Sequence, residues 1–150
     1  MAAIDPVIAA ADSRDIATSR ESKPTVADAM VTDIKVSAAD ATVGDLRALF
    51  VDEHVHAAVI VDDGVLITVV DRSEVARTAS ADSPAVQLGC RRHRVVALTA
   101  DLEQARQQLL ASDRRRLAVV DADGQLCGLL CLKRTRAGFC SDQDVRARLR

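Results

Sequence analysis

Cysteine, histidine and clustered arginine are the side chains of this 150-residue chain whose chemistry reaches beyond packing, and their spacing is restrictive. Cys90, Cys127, Cys131 and Cys140 all lie in the second half. Three residues separate Cys127 from Cys131, wider than the usual zinc knuckle, and His93 is the sole histidine in that half; no structural metal is expected, and the cysteines read as small buried apolar residues. A disulfide framework is not expected either, because a chain of this size without an export signal has no need of one. His54 and His56 stand two apart and share a face only on a strand, which reads as one surface and one inward-facing histidine rather than a metal pair. Arg91-Arg92-His93-Arg94 reads as a solvated basic edge. No set of nucleophile, base and orienting residue, and no glycine-rich phosphate loop, can be assembled, so no enzyme is expected.

Composition narrows the remaining classes. The chain is 49% hydrophobic and 28% charged, with Phe50 and Phe139 as its only aromatic residues. Base stacking on single-stranded nucleic acid and aromatic cages for cations both need more rings than two. The formal net charge of −2 conceals a polar molecule. Residues 1–75 carry 6 Lys/Arg against 14 Asp/Glu and residues 76–150 carry 14 against 8, so −8 and +6 give the −2. Such halves favour association with an oppositely charged surface, including a second copy set head to tail. Nucleic-acid binding is not expected with a negative total and no binding motif. No apolar run of membrane-spanning length occurs, and the start Met-Ala-Ala-Ile-Asp-Pro has no basic, apolar leader, so the expectation is a cytoplasmic protein without a membrane segment.

The elements that position these residues repeat. Residues 1–24 read as a flexible or partly helical tail. Thr25–Met30 predicts a short helix and Ile34–Val36 a short strand. Val43, Leu46, Leu49 and Phe50 form one face of a helix capped by Thr42 or Asp40. Ala57–Val61 and Val65–Val70 predict buried strands joined at Asp62-Asp63-Gly64, and residues 71–76 turn helical. After a small, polar linker from Thr78 to Pro84, the order returns about 60 residues later. Val95–Ala97 is a strand; Leu102, Ala105, Leu109 and Leu110 mark a helix; Leu117–Val120 and Leu126–Leu132 are strands about Asp121-Ala122-Asp123-Gly124; and Lys133–Arg136 enters a closing helix. Each unit is too small to bury a sufficient core alone, so the two are expected to share one. The expected fold class is α/β (α+β), two β-α-β-β-α repeats packed through their sheets with pseudo-two-fold symmetry. Repeat one covers 25–79, repeat two 80–140, and a basic tail 141–150.

The segments Val26-Ala27-Asp28-Ala29-Met30, Ser37–Val43, Ala57–Gly64 and Val69–Val75, with the repeat, resemble the CBS domain, named after cystathionine beta-synthase, and the tandem resembles a CBS pair or Bateman module. The resemblance implies a non-catalytic regulatory module that holds adenosine-containing or other small ligands in clefts between the repeats and that pairs further into a disc-shaped homodimer. No cofactor is required; AMP, ADP, ATP or S-adenosylmethionine are the regulatory ligands implied.

Site positions follow from the same resemblance. Nucleotide-binding members end the second hairpin strand with Gly, a hydrophobic residue, any residue, Ser or Thr, two more and Asp, the hydroxyl and carboxylate gripping ribose or phosphate. Here Asp71 and Glu74 stand at those places in repeat one, and Cys131 and Arg134, after Gly128, in repeat two. Neither repeat has the full signature, and Asp71 would repel phosphate. A basic residue before the first hairpin strand faces the cleft in phosphate-binding members; His56 and Arg115 hold that place, with Arg116 adjacent and Lys133 where some members carry a phosphate-contacting lysine. Arg115, Arg116, Lys133 and Arg134 would form an anion cluster, guanidinium groups being bidentate phosphate donors; the alternative is that Arg114-Arg115-Arg116 is a solvated turn. The functions expected are a sensor of a small anionic ligand acting through dimerisation or an unknown protein partner, or, with degenerate motifs, a ligand-free interaction module.

Overall fold

The computed structural model describes residues 23–76 and 80–143. The expected tail before Lys23, Thr78 in the expected linker and the basic tail from Asp144 lie outside the described residues.

Elements run in the order α1 (Val26–Ala29), β1 (Val36–Ala38), α2 (Val43–Leu49), β2 (Ala57–Asp62), β3 (Val65–Asp71), α3 (Arg72–Ala76), a 3-10 turn (Ala85–Gln87), β4 (Val95–Ala97), α4 (Leu102–Ala111), β5 (Arg116–Val120) and β6 (Leu126–Cys131). They build two three-stranded sheets, β1-β2-β3 and β4-β5-β6. In each, the short outer strand runs parallel to the middle strand and the hairpin is antiparallel. The fold is therefore mixed α+β and duplicated, as the repeat predicts.

Local chemistry sets the element ends. The Thr42 hydroxyl accepts from the Asp45 amide at 3.2 Å while the Asp45 carboxylate accepts from the Thr42 amide at 2.9 Å, a reciprocal cap that starts α2 at Val43. Asp101 caps α4 by accepting from the Gln104 amide at 2.9 Å. The β2–β3 turn is Asp63-Gly64, with φ of 52° and 82°, the left-handed pair that matches hairpin twist.

Strand alternation sorts side chains into separate cores. Ala58 and Ile60 join Val43, Leu46, Phe50, Val70 and Val75 under α2 and α3. Leu117 and Val119 join Val96, Ala105, Leu109, Leu130 and Leu132 under α4. The intervening positions, Val59 and Ala118, point the other way and meet Leu66 and Val69 between the sheets. The shared core is thus the sheet-to-sheet layer.

Each half also borrows a segment from the other. Val26 of α1 is fully buried in the second core, and the Val26 and Ala27 amides donate to the Ala100 and Leu98 carbonyls. Reciprocally, Ala85 is buried in the first core, and the Ala85 amide donates to the Ala41 carbonyl. The bridges Thr25 to Asp101 and Thr42 to Pro84 are one pair under the pseudo-two-fold; Val31 to Leu129 and Val69 to Cys90 are another. At the axis, the Leu66 amide donates to the Gly124 carbonyl and the Leu126 amide to the Gly64 carbonyl. The stretch from Ser80 to Pro84, expected as a plain linker, is docked on the start of α2: the Gly44 and Val43 amides donate to the Ala81 and Ser83 carbonyls.

Two expectations need correction. The first strand is Val36–Ala38, two residues beyond Ile34. Lys133–Arg136 does not enter a helix: Lys133–Gly138 is a loop closed by the Lys133 amide on the Gly138 carbonyl, and Phe139 returns beside Leu132. In the first half the Glu74 carboxylate accepts from the Asp71 amide at 2.8 Å and opens α3. The equivalent residue here is Arg134, which cannot accept a hydrogen bond, and the helix start is not capped.

Candidate functional site

The pseudo-two-fold creates two equivalent clefts, and the side chains have made them unlike. The first lies where β2 begins and β6 ends. His56 precedes β2, Arg115 and Arg116 enter β5, Cys131 ends β6, and Lys133 and Arg134 follow; together with Glu53, His54 and Cys140 they line an open cavity of about 450 Å³. Six of the eight expected ligand residues therefore converge: His56, Arg115, Arg116, Cys131, Lys133 and Arg134. An apolar extension continues from the same walls, lined by Val31, Ile34, Val55, Ala57 and Leu129, with Asp33 and Lys35 at its edge.

The electrostatics of this cleft are written on His56. Burial, followed by the charges of Arg116, Arg115, Arg72 and His54, pushes its imidazole down from 6.5 to about 4, so it is neutral near pH 7. Among the described residues no carboxylate forms an ion pair with Arg115, Lys133 or Arg134. Arg72 holds the loop that carries both histidines: its guanidinium donates to the Phe50 carbonyl at 2.7 Å, the Asp52 carbonyl at 2.8 Å and the Val55 carbonyl, and lies 5.1 Å from the Phe50 ring centroid.

Asp71 and Glu74, the other two expected ligand residues, do not line this cavity; they are engaged by Arg94 and Arg114, which line a second open cavity with Cys90, Arg92, His93 and Gln108. Arg114 binds the Asp71 carboxylate bidentately, both bonds 2.8 Å long. Arg94 reaches the same carboxylate at 3.3 Å, the Glu74 carboxylate at 2.7 Å and the Val69 carbonyl at 2.6 Å. The side chains of Arg94, Arg114 and Asp71 keep only 13%, 20% and 22% of their exposure. Burial pushes the Asp71 carboxyl up, but the Arg114 hydrogen bonds and charge, with Arg94, outweigh it and hold the group below the usual carboxylate range. A carboxylate of the chain itself thus takes the guanidinium fork that a phosphate would use. Arg94 and Arg114, expected on a solvated edge and a solvated turn, are structural. The sequence carries no short-range signal for them, because Asp71 and Arg114 are 43 residues apart.

Asp33, Ile34, Lys35 and Glu53 were not among the expected site residues; the first three enter the first cleft because the bridge between Val31 and Leu129 draws their segment across the opposite sheet, and Glu53 comes with the loop that carries His54 and His56. No group of three or more metal-binding side chains occurs among the described residues.

A family model described as CBS domain matches residues 90–134. The fold as a whole is similar to that of solved CBS pairs. The second half matches the CBS domain, and the chain as a whole is similar to tandem CBS pairs. The crystal structure of CBSX2 in complex with AMP is 29% identical, covers 83% of this chain and 96% of that chain, and has a TM-score of 0.62. The CBS domains of a transcriptional regulator from Streptococcus pneumoniae are 17% identical over 83% of this chain and 98% of that chain, TM-score 0.64. The cytosolic domain of the Mg2+ channel MgtE in complex with ATP is 18% identical over 70% and 44%, TM-score 0.61. No curated protein matches the chain. No helix among the described residues is long and apolar enough to cross a membrane.

Proposed function

We propose that this CBS pair is a non-catalytic sensor that takes one small anionic ligand, an adenine nucleotide, in the cleft of His56, Arg115, Arg116, Lys133 and Arg134, and passes occupancy on through dimerisation or a protein partner. The convergence of four cationic side chains beside an apolar extension carries the reading. Phosphate oxygens suit the guanidinium and ammonium groups. The base suits Val31, Ile34, Val55, Ala57 and Leu129, aliphatic walls that replace the missing aromatic rings. CBSX2 is described in complex with AMP and MgtE with ATP, which supports the ligand class. S-adenosylmethionine, with a sulfonium and no phosphate, fits a cationic cluster less well.

Calorimetry with AMP, ADP, ATP and S-adenosylmethionine tests the reading. The expected result is one site per chain for a nucleotide, lost in Arg115→Ala and weakened by salt. No heat and no thermal stabilisation with any nucleotide at millimolar concentration would overturn it. A ligand-free interaction module is the second reading, favoured by the internal carboxylate that engages an arginine of the other cleft. Under it, light scattering gives a dimer at low salt that dissociates at high salt, with nucleotides making no difference.

A further inference from the structure

Two thiols face each other at the floor of the first cleft. Leu132 and Phe139 form an antiparallel bridge, so Cys131 and Cys140 are opposite each other one step along, and the Cys140 amide donates to the Cys131 carbonyl at 2.7 Å. Residues so placed have Cα atoms about 5.5 Å apart, inside the range a disulfide requires. Their Sγ atoms are 2.9 Å apart and not joined. Both residues are buried, yet both contribute to the cleft wall, so a small solute that enters the cleft comes up against this pair of residues. Cys90 and Cys127 have no such arrangement: neither is within hydrogen-bonding reach of another sulfur among the described residues.

We infer that Cys131 and Cys140 form a reversible disulfide when a hydroperoxide enters the cleft. One thiolate attacks the peroxide oxygen, forming S–O as O–O breaks and water or alcohol leaves. The second thiolate then attacks that sulfur, S–S forms, and the sulfenic oxygen departs as water; the two thiols lose two electrons and two protons in all. A dithiol reductant reverses the step.

The bond would fix the chain that follows Cys140. Two residues on, the Asp142 carboxylate accepts from the Thr32 and Asp33 amides at 2.7 and 2.8 Å and from the Thr32 hydroxyl at 3.1 Å. Thr32 and Asp33 lead into Ile34 and Lys35, which line the apolar extension. Oxidation therefore fastens the cleft's far wall to its floor through Cys140 and Asp142.

The test uses the full chain treated with hydrogen peroxide, then alkylated and digested with trypsin without reduction. Lys133, Arg134 and Arg136 separate the two cysteines, so the bond appears as a cross-linked peptide pair. The expected result is a loss of two hydrogen masses, a Cys131–Cys140 cross-link, and a thermal midpoint raised by about 5 °C and restored by dithiothreitol. The Cys90→Ser, Cys127→Ser variant should give the same link. Alkylatable Cys131 and Cys140 after full oxidation of Cys90, sulfinic acid without a link, or a link through Cys90 or Cys127 would each overturn the inference. None of these readouts depends on a nucleotide binding.

Discussion

Replacing Asp71 with alanine removes the acceptor of both Arg114 bonds and of the 3.3 Å contact with Arg94, while leaving the Glu74 carboxylate on the Asp71 amide. Arg94 keeps Glu74 and the Val69 carbonyl; Arg114, whose Nε already has no hydrogen-bond partner, loses both carboxylate bonds. Removing one member of a buried ion pair costs about 3–5 kcal/mol, and the roughly one-fifth exposure of these side chains reduces this to about 2–3 kcal/mol. At about 4 °C per kcal/mol for a domain of this size, the melting midpoint should fall by roughly 10 °C. Urea denaturation at pH 7 with an unchanged slope measures the same loss directly. The pH dependence fixes the sign. Asp71 is held below its unfolded value of about 3.9, so its contribution is full above that value and disappears as pH falls through the lower folded value; the gap between wild type and variant should persist down to about pH 4 and close beneath it. Inorganic phosphate, which can enter the vacated guanidinium fork, should restore stability to Asp71→Ala and leave Arg114→Ala unimproved. A loss below about 0.5 kcal/mol, or one independent of pH, would refute the view that an internal carboxylate locks the second cleft.

Three further outcomes follow from the first cleft. His56, held near 4 against 6.5 when unfolded, is a liability in acid: wild type should lose stability relative to His56→Gln as pH falls from about 6.5 to 4, and histidine NMR should find its titration moving upward when a nucleotide phosphate offsets Arg115 and Arg116. Arg72→Ala forfeits three carbonyl acceptors and the Phe50 face, which should cost about 2–3 kcal/mol in urea titration and weaken nucleotide affinity through the loop that bears His54 and His56. Gly128→Ala drives a methyl group into the Val31 carbonyl and within 3.2 Å of the Met30 sulfur; a cost of about 1–3 kcal/mol is expected, with lowered affinity because the displaced segment walls the cleft.

Continuous apolar runs ended by turn chemistry made the strands legible. Ala57–Val61 and Leu117–Val120 are continuous apolar runs because both sheet faces are buried, and Asp63-Gly64 is the hairpin turn its residues require. The helix expected after β6 was inferred from its counterpart in the first half; Lys133-Arg134-Thr135-Arg136 has neither an apolar face nor a capping carboxylate, and the residues settle as a loop. Six residues that line the first cleft were reached through the family resemblance. Asp71 and Glu74 carry the same resemblance, but their partners are arginines distant in sequence, and pairwise electrostatics of that kind has no local signature. The borrowed segments were illegible for the same reason: Val26 reads as a core residue, with nothing beside it to say whose core.

That exchange bears on how the duplicated chain can change. Under the pseudo-two-fold, Gly128 corresponds to Thr68 and Gly89 to Met30, and a substituted Gly89 would strike the Val69 backbone as a substituted Gly128 strikes Val31. One half sets a methionine over a glycine, the other a glycine over a threonine, so bulk and space have been traded in opposite directions. A fragment cut between residues 76 and 80 would carry away its sibling's missing piece while lacking its own. The two copies have therefore become complementary parts rather than equal ones, each free to drift only along paths the other accommodates. Copying the first half over the second would return the ancestral symmetry and lose the fit.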